Sequence, residues 1–456
     1  MDLEGCAKRL ILNKDGEAAR KLADRMMEYK ELSGLEASAL ADAVLEETKA
    51  ALSLEGEVFG YDKSGVCMGR FGVGSRGAGD FYVHGKIGEV IGKTSAVLDS
   101  SNSDDSGVVS VDKENNELLV LTVDGMHSRL SAFPFLAGFH AAKAALRDIY
   151  VMGARPAAML SDIHIADDGD VSMIFDHIAG ISAVSELTAI PLITGSTLRI
   201  GGDMVIGERM TGCVGAAGTV CSNSLTARNK ASPGDLILMT EGTGGGTVTT
   251  AAVYSGYPKA GEIVEKTLNV DFLTACQALL DSPGRLHTKI HVMTDVTNGG
   301  VRGDAFEISK EAGVRLVFDD DALARCVEPS VGEMFQTLGI DFRGVSIDSL
   351  LVICPKEIAG PVIQTVEDAG VKMYIVGRIE EKSPGKFDTA LIAGGEEKEF
   401  KPMFREAAYT PLKKVIGEKE PADFEAMKQK IDAAAVSAVG KRDRIVKRIK
   451  EKRNNE

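Results

Sequence analysis

From residue 107 to 218, and again from 232 to 405, short β-rich runs alternate with helical stretches and glycine-rich turns. That alternation predicts two consecutive α+β units of similar size. In the first, Val108–Val111 and Leu118–Val123 read as strands joined by a polar Asp112–Glu117 turn. A helix over 137–150, a strand Ala157–Ile165, a helix over 173–187 and a glycine-interrupted strand over 203–218 follow. The second unit opens with a Pro233-Gly234-Asp235 turn and the strand Leu236–Met239, and ends after the strand Met373–Val376. Ser222–Ser232 reads as the linker, and no residue-level repeat relates the halves. Both flanks read as helical. Leu10, Ile11, Ala18, Leu22, Met26, Leu32, Leu35, Leu40, Val44 and Leu45 recur near helical spacing over 1–55. Residues 410–456 are broken at Pro411 and Pro421 and carry Ile445 and Ile449 on one face.

Composition narrows the function classes. Trp is absent and aromatics are 5%, so the core must be Ile, Val, Leu, Ala and Met, and base stacking on single-stranded nucleic acid is disfavoured. The 52 Lys and Arg against 67 Asp and Glu give −15. A body this acidic is a poor general binder of DNA or of an anionic membrane. Residues 441–456 alone are basic, with eight Lys or Arg against three acids. That tail could touch RNA, a membrane or an acidic partner, but a helix end lying on this protein's own acidic body is the simpler reading. The seven Cys are odd in number and form no C-x-x-C, so neither a disulfide framework nor a zinc ribbon is signalled and a reducing cytoplasm is expected. The N-terminus lacks a signal-peptide pattern, and the uncharged run 210–227 is too interrupted by Gly, Ser, Thr and Asn to span a membrane.

Carboxylates recur at strand ends. Asp104 and Asp105 precede the first strand, Asp124-Gly125 end the second, Asp148 lies in the helix running into Met152-Gly153, and Asp295 ends an apolar run. Hard oxygen ligands on fixed backbone suit Mg²⁺, which usually arrives with phosphates. Taken singly, each reads first as a turn or capping Asp, and only their combination points to a metal. The stretch Gly72–Asp80, with Gly74, Arg76, Gly77 and Gly79, could wrap phosphate oxygens, though it is no Walker loop. Thr240–Thr247 carries Gly242, Gly244, Gly245 and Gly246 after a strand and reads equally as a phosphate nest or a flexible turn. Of seven His, only His127, three residues after Asp124, is placed near a site. Cys67, beside the glycine-rich stretch, is read as an inert thiol before a reactive one.

Four segments in order resemble one superfamily. Ser103–Val109 resembles the D-D-A-A-V segment of thiamine-monophosphate kinase and selenophosphate synthetase. Thr122–Met126 resembles the group's T-D-G strand end, Arg147–Pro156 its N-D-[IL]-x-x-M-G-[AG]-x-P helix–turn, and Thr294–Gly300 its D-x-T-x-G-G turn. Gly79–Ile87 is similar to the G-E-F-x-L-I opening of thiamine-monophosphate kinase. The superfamily is that of aminoimidazole ribonucleotide (AIR) synthetase, and the chain most resembles the AIR-synthase-related proteins of methanogenic archaea. The resemblance implies an α/β (α+β) two-domain fold: a helical extension over 1–70, an ATP-binding, dimerising domain over 71–221, a second domain over 232–405 and a helical basic tail over 406–456. It implies a homodimer whose first domains pair their sheets into a β-barrel. It further implies an ATP- and Mg-dependent phosphotransferase or ligase that phosphorylates an unidentified small molecule; the alternative is a non-catalytic, nucleotide-binding regulatory or scaffold homologue. Carried over, Asp104 or Asp105, Asp124, Asp148 and Asp295 hold Mg²⁺. Gly74, Arg76, Gly77, Gly79, Asp80, Asp124, Gly125, Gly153, Thr297 and Gly299 bind the nucleotide. The chain departs from the pattern at Ser196, where relatives carry an acid, and at Arg147, where they carry Asn. The hydrogenase-maturation relatives need a C-terminal Cys; this chain ends Asn454-Asn455-Glu456, so their chemistry is not expected.

Overall fold

A computed structural model of the chain describes residues 1–75, 77–297, 299–406 and 408–455. The first sheet contains β1 (Gly107–Asp112), β2 (Glu117–Gly125), β3 (Arg155–Ile165), β4 (Leu192–Arg199) and β5 (Met210–Cys221) in the spatial order β1-β2-β5-β3-β4. β1 and β2 form the expected hairpin. The Asp112 carboxylate accepts the backbone N–H groups of Glu114 at 2.8 Å and Asn115 at 3.0 Å, an Asx turn that fixes the chain reversal. β3 and β4 are parallel and linked through the helix Ser172–Thr188, while the other neighbours run antiparallel. β4 has no apolar alternation to announce it, and seven of its eight residues are exposed.

The predicted strand over 203–218 starts later, at Met210. The chain before it is held by the N-terminus: Asp2 bridges Val205, and the Ile206 N–H donates to the Met1 carbonyl at 3.1 Å. Helices Leu3–Leu12, Ala18–Met27 and Gly34–Leu52 form a small bundle there, the last opened by a Ser33/Glu36 capping box. Its core is Leu3, Cys6, Leu22, Met26, Ala37, Ala41 and Leu45, closed by Ile206. Leu35 and Leu40 belong to the predicted apolar set but face solvent, because the small residues Ala37 and Ala41 take the inward stripe.

The first sheet is covered on one side only. Helices Pro134–Tyr150 and Ser172–Thr188 pack on it through Ile149, Ile181 and Val184, against Val120, Met159 and Val214. Period-two alternation puts Leu118 and Val120 inside and Leu121 and Val123 outside, at 45% and 65% exposure. Leu160 of β3, at 43%, extends this open apolar face.

The second sheet contains β6 (Leu236–Thr240), β7 (Val292–Val296), β8 (Val314–Asp319), β9 (Ser349–Cys354), β10 (Met373–Glu381), β11 (Thr389–Ala393) and β12 (Glu396–Glu399), ordered β12-β11-β8-β10-β6-β9-β7. β7 and β9 are buried along their whole length. The C-terminal helix Phe424–Asn455 lies on the helix Ala78–Ile91. Phe71, Phe404, Phe424 and Met427 make the seam. The first part of the basic tail rests on the body: Arg444 pairs with Glu57 at 2.6 Å and Lys441 donates to the Gly60 carbonyl at 2.6 Å. Farther on, Lys447 pairs within the tail, with Glu451, and Ile449 is half exposed.

Candidate functional site

A cleft of about 1340 Å³ opens between the two sheets. Residues that the sequence separates widely converge on it, because each sheet presents strand ends and helix ends there. Asp124 ends β2, Asp148 stands in the last turn of the helix Pro134–Tyr150, and Asp295 lies in β7 of the other sheet. Asp104 and Asp105 enter from the segment before β1.

Asp105 joins the two domains. Its Oδ2 accepts the Thr294 hydroxyl from β7 at 2.9 Å, and its Oδ1 takes Arg228 Nη2 at 2.7 Å. Arg228 also reaches Glu307 at 2.7 Å and Asp304 at 3.2 Å, while its backbone N–H donates to Asp104 at 2.9 Å. Nothing in the stretch Ser222–Ser232 marks Arg228 as more than a linker residue, yet it is buried among four carboxylates. The Asp148 carboxylate accepts the Thr122 hydroxyl at 2.8 Å.

A second network lines the opposite wall. Lys143 Nζ is 2.5 Å from Asp348, and Arg147 pairs with the same carboxylate. Burial alone would raise Asp348, but Lys143 and Arg147 outweigh it and hold its carboxyl at about 2. Asp348 has φ +59, a left-handed backbone that an L-residue keeps only when its surroundings fix it. Arg147 Nε stands 3.1 Å from Asp295 Oδ2. The two are not aligned as a hydrogen bond, so Asp295 Oδ2 is a buried oxygen without a donor.

The carboxylates sense one another. Burial, then the charges of Asp295, Asp124 and Asp105, push Asp148 well above the ordinary range. Burial raises Asp295 to about 7; Arg147 opposes that rise, while Asp105 and Asp124 add to it. Burial raises Asp104 to about 6 against the pull of Arg228. Such mutual repulsion in a cleft is what a bound cation relieves. Among the described residues no three His, Cys, Asp or Glu side chains converge tightly enough to hold an ion alone. The donor set therefore fits Mg²⁺ that arrives with part of its oxygen shell supplied by phosphates, and Asp295 Oδ2 is a free acceptor for it.

The glycine positions divide. Gly74, Gly125, Thr297 and Gly299 line the cleft. Gly77, Gly79, Asp80 and Gly153 are outside its lining, and Arg76 lies outside the described residues. Gly77 and Gly79 have a packing reason of their own. A Cβ on Gly77 would lie 2.3 Å from the Phe404 carbonyl oxygen, and one on Gly79 only 1.8 Å from that of Phe71. Asp80 accepts the Gly74 N–H at 3.0 Å. Gly153, at φ +73, is a left-handed turn pressed against the Ser224 carbonyl. Cys67 is exposed, and neighbouring Arg70 is engaged by Asp423 at 2.6 Å. Ser196 is an exposed residue of β4 away from the cleft lining.

His127 does reach the site. Its Nδ1 meets the Thr250 hydroxyl and its Nε2 the Tyr409 hydroxyl, both at 3.1 Å. Burial, then the charges of Lys413 and Arg129, lower its pKa to about 4, so the ring is neutral. Tyr409 and Lys413 come from the segment after the second sheet, whose helical composition gives no hint that it roofs a cleft.

The chain resembles known proteins over both of its units. Residues 103–220 match the AIR synthase related protein N-terminal domain, and residues 232–388 match the AIR synthase related protein C-terminal domain. An uncharacterized protein of Methanocaldococcus jannaschii is 49% identical over 467 residues, covering 99% of both chains. A selenide, water dikinase of Myxococcus xanthus is 25% identical over 279 residues, which is 55% of this chain and 76% of that protein. The solved structure of AaThiL complexed with AMPPCP and TMP superposes with a TM-score of 0.53 at 17% identity, over 72% of this chain and 96% of that one. At that identity the likeness shows the two-domain fold.

Proposed function

The chain belongs to the AIR-synthase-related family, and from that premise we propose that it is an ATP- and Mg-dependent phosphotransferase or ligase that activates a small-molecule acceptor by phosphorylation. The observation carrying this reading is the convergence of Asp105, Asp124, Asp148 and Asp295 on one cleft, where the charges of Asp105 and Asp124 raise the proton affinity of Asp148 and Asp295. A relative named selenide, water dikinase and a structural neighbour solved with a nucleotide analogue support it.

In this reading the four carboxylates, with Asp104 beside them, would hold Mg²⁺, which would supply positive charge against a polyanionic nucleotide and its transferred phosphoryl group. Gly74, Gly125, Thr297 and Gly299 border the nucleotide. Gly77, Gly79, Asp80 and Gly153 act at one remove, by letting the chain pack behind it. Lys143 and Arg147 fix Asp348 and, through Arg147, the position of Asp295. Catalysis then rests on positioning and electrostatics and needs no nucleophilic side chain.

The working unit is a homodimer. Leu121, Val123 and Leu160 form an apolar face on the open side of the first sheet, and a second copy of the same face would cover it. No helix among the described residues is long and apolar enough to cross a membrane. The test of activity is ADP release when MgATP is offered with pools of small-molecule acceptors. Release with one pool, absent in Asp124→Asn, supports the transferase. Nucleotide binding without turnover across all pools favours a regulatory nucleotide-binding protein instead.

A further inference from the structure

The basic tail takes no part in the cleft: among the described residues, none beyond Gly440 lines it. Its helix, Phe424–Asn455, is anchored over its middle turns. Ser437 donates to the Asp62 carboxylate, Lys441 donates to the Gly60 carbonyl and Arg444 pairs with Glu57, each at 2.6 Å. Positions 437, 441 and 444 share one helix face, so residues 57–62 run along that face. Beyond these anchors the helix stands clear. Every residue from Val446 to Arg453 is exposed. Lys447, Arg448, Lys450, Lys452 and Arg453 load about 12 Å of helix with positive charge. The acid among them, Glu451, stands 3.9 Å from Lys447. Among the described residues, Arg448, Lys450, Lys452 and Arg453 have no carboxylate within salt-bridge distance.

The distribution of that charge decides between partners. At 3.6 residues per turn the five cations point to all sides of the helix. A lipid surface takes a helix with an apolar face; here Val446 and Ile449 share their side with Arg453, and no uncharged face remains. The acidic surface of a folded protein would meet one side and leave the other cations unpaired. Nucleic-acid phosphates can flank a helix on two sides at once. Two aromatic rings then favour RNA. Phe59 and Tyr61 are 60% and 78% exposed, and they flank Gly60, whose carbonyl Lys441 holds. Unpaired bases stack on such rings, and unpaired loops are what proteins read in RNA. The acids beside the rings are engaged, Glu57 by Arg444 and Asp62 by Ser437. Composition sets base stacking against the chain as a whole, yet the fold brings these two open rings to its basic segment.

We propose that Val446–Arg453 of this helix, with Phe59 and Tyr61, forms a docking surface for a structured RNA. The helix cations hold phosphates on either side, and the rings stack unpaired loop bases. Both parts of the surface lie outside the matched family domains, at 103–220 and 232–388, so it belongs to the flanks and not to the two-domain body.

The test is fluorescence anisotropy of a labelled RNA stem–loop with the full-length protein, over a range of salt. A DNA duplex of the same stem sequence and phosphatidylserine vesicles are the parallel arms. Wild type should bind the stem–loop more tightly than either. The triple variant Arg448→Gln, Lys450→Gln, Lys452→Gln should weaken that binding by about tenfold or more near ~0.1 M salt, and lower the salt slope by about 1 per cation removed. The double variant Phe59→Ala, Tyr61→Ala should weaken it by about fivefold or more and leave the slope unchanged. All five positions are exposed, so melting curves of both variants should match wild type. RNA binding that is absent at ~0.05 M salt, or equal in wild type and the triple variant, overturns the surface. Undiminished binding by the double variant overturns the contact with unpaired bases. Equal affinity for the duplex, or binding to vesicles alone, overturns the assignment to RNA.

Discussion

Arg228 Nη2 lies 2.7 Å from Asp105 Oδ1, although Arg228 belongs to the connector between the sheets and Asp105 precedes the first strand. The Arg228 guanidinium pairs with Asp105, Asp304 and Glu307. Arg228→Met should leave these carboxylates buried and repelling. Breaking a buried pair on one side typically costs about 3–5 kcal/mol. Urea unfolding is the measurement; a loss below about 1 kcal/mol, the range of a surface ion pair, would contradict the structure.

Gly79→Ala separates packing from phosphate binding. The added Cβ falls 1.8 Å from the Phe71 carbonyl oxygen, so backbone must move. The expected result is a lower melting temperature, with nucleotide affinity retained in the fraction that folds. A variant of normal stability that no longer binds nucleotide would return Gly79 to the site itself.

The open face of the first sheet predicts a self-association surface. Leu121→Glu together with Val123→Lys should convert a dimer to a monomer in sedimentation velocity, without loss of the folded signal. A wild type that sediments as a monomer at high concentration would remove the second copy from the account.

His127 should titrate low. Its folded pKa of about 4 lies below the ordinary 6.5. Between those values the unfolded chain takes up a proton that the folded chain refuses, so this ring's contribution to stability is present above pH 6.5 and is lost as pH falls toward 4. An NMR titration of the imidazole gives the folded value directly. A midpoint between 6 and 7 would mean that the ring is not buried beside Lys413 and Arg129 as the structure has it.

These cases mark what the sequence could carry. Asp124 was legible because a β-rich run ends in Asp-Gly, and strand ends are where α/β sheets present ligands. Asp148 and Asp295 were legible through local motifs around a helix end and a turn. Arg228 was not, since nothing local distinguishes a linker arginine from a buried one; its partners are 66 or more residues away. Gly77 and Gly79 share one signature with phosphate-binding glycines, because close approach to a ligand and close approach to the chain's own carbonyls both exclude a Cβ. Tyr409 and Lys413 were hidden by tertiary folding: the segment after the last strand turns back over the cleft, which composition does not encode.

The central claim is that the carboxylate cleft holds a nucleotide through Mg²⁺. Calorimetric titration of ATP with and without Mg²⁺, into wild type and Asp124→Asn, tests it most directly. The account predicts Mg²⁺-dependent binding by the wild type that is lost in the variant while its melting curve stays intact. Equal binding by both proteins, or none by the wild type at any Mg²⁺ concentration, would contradict it.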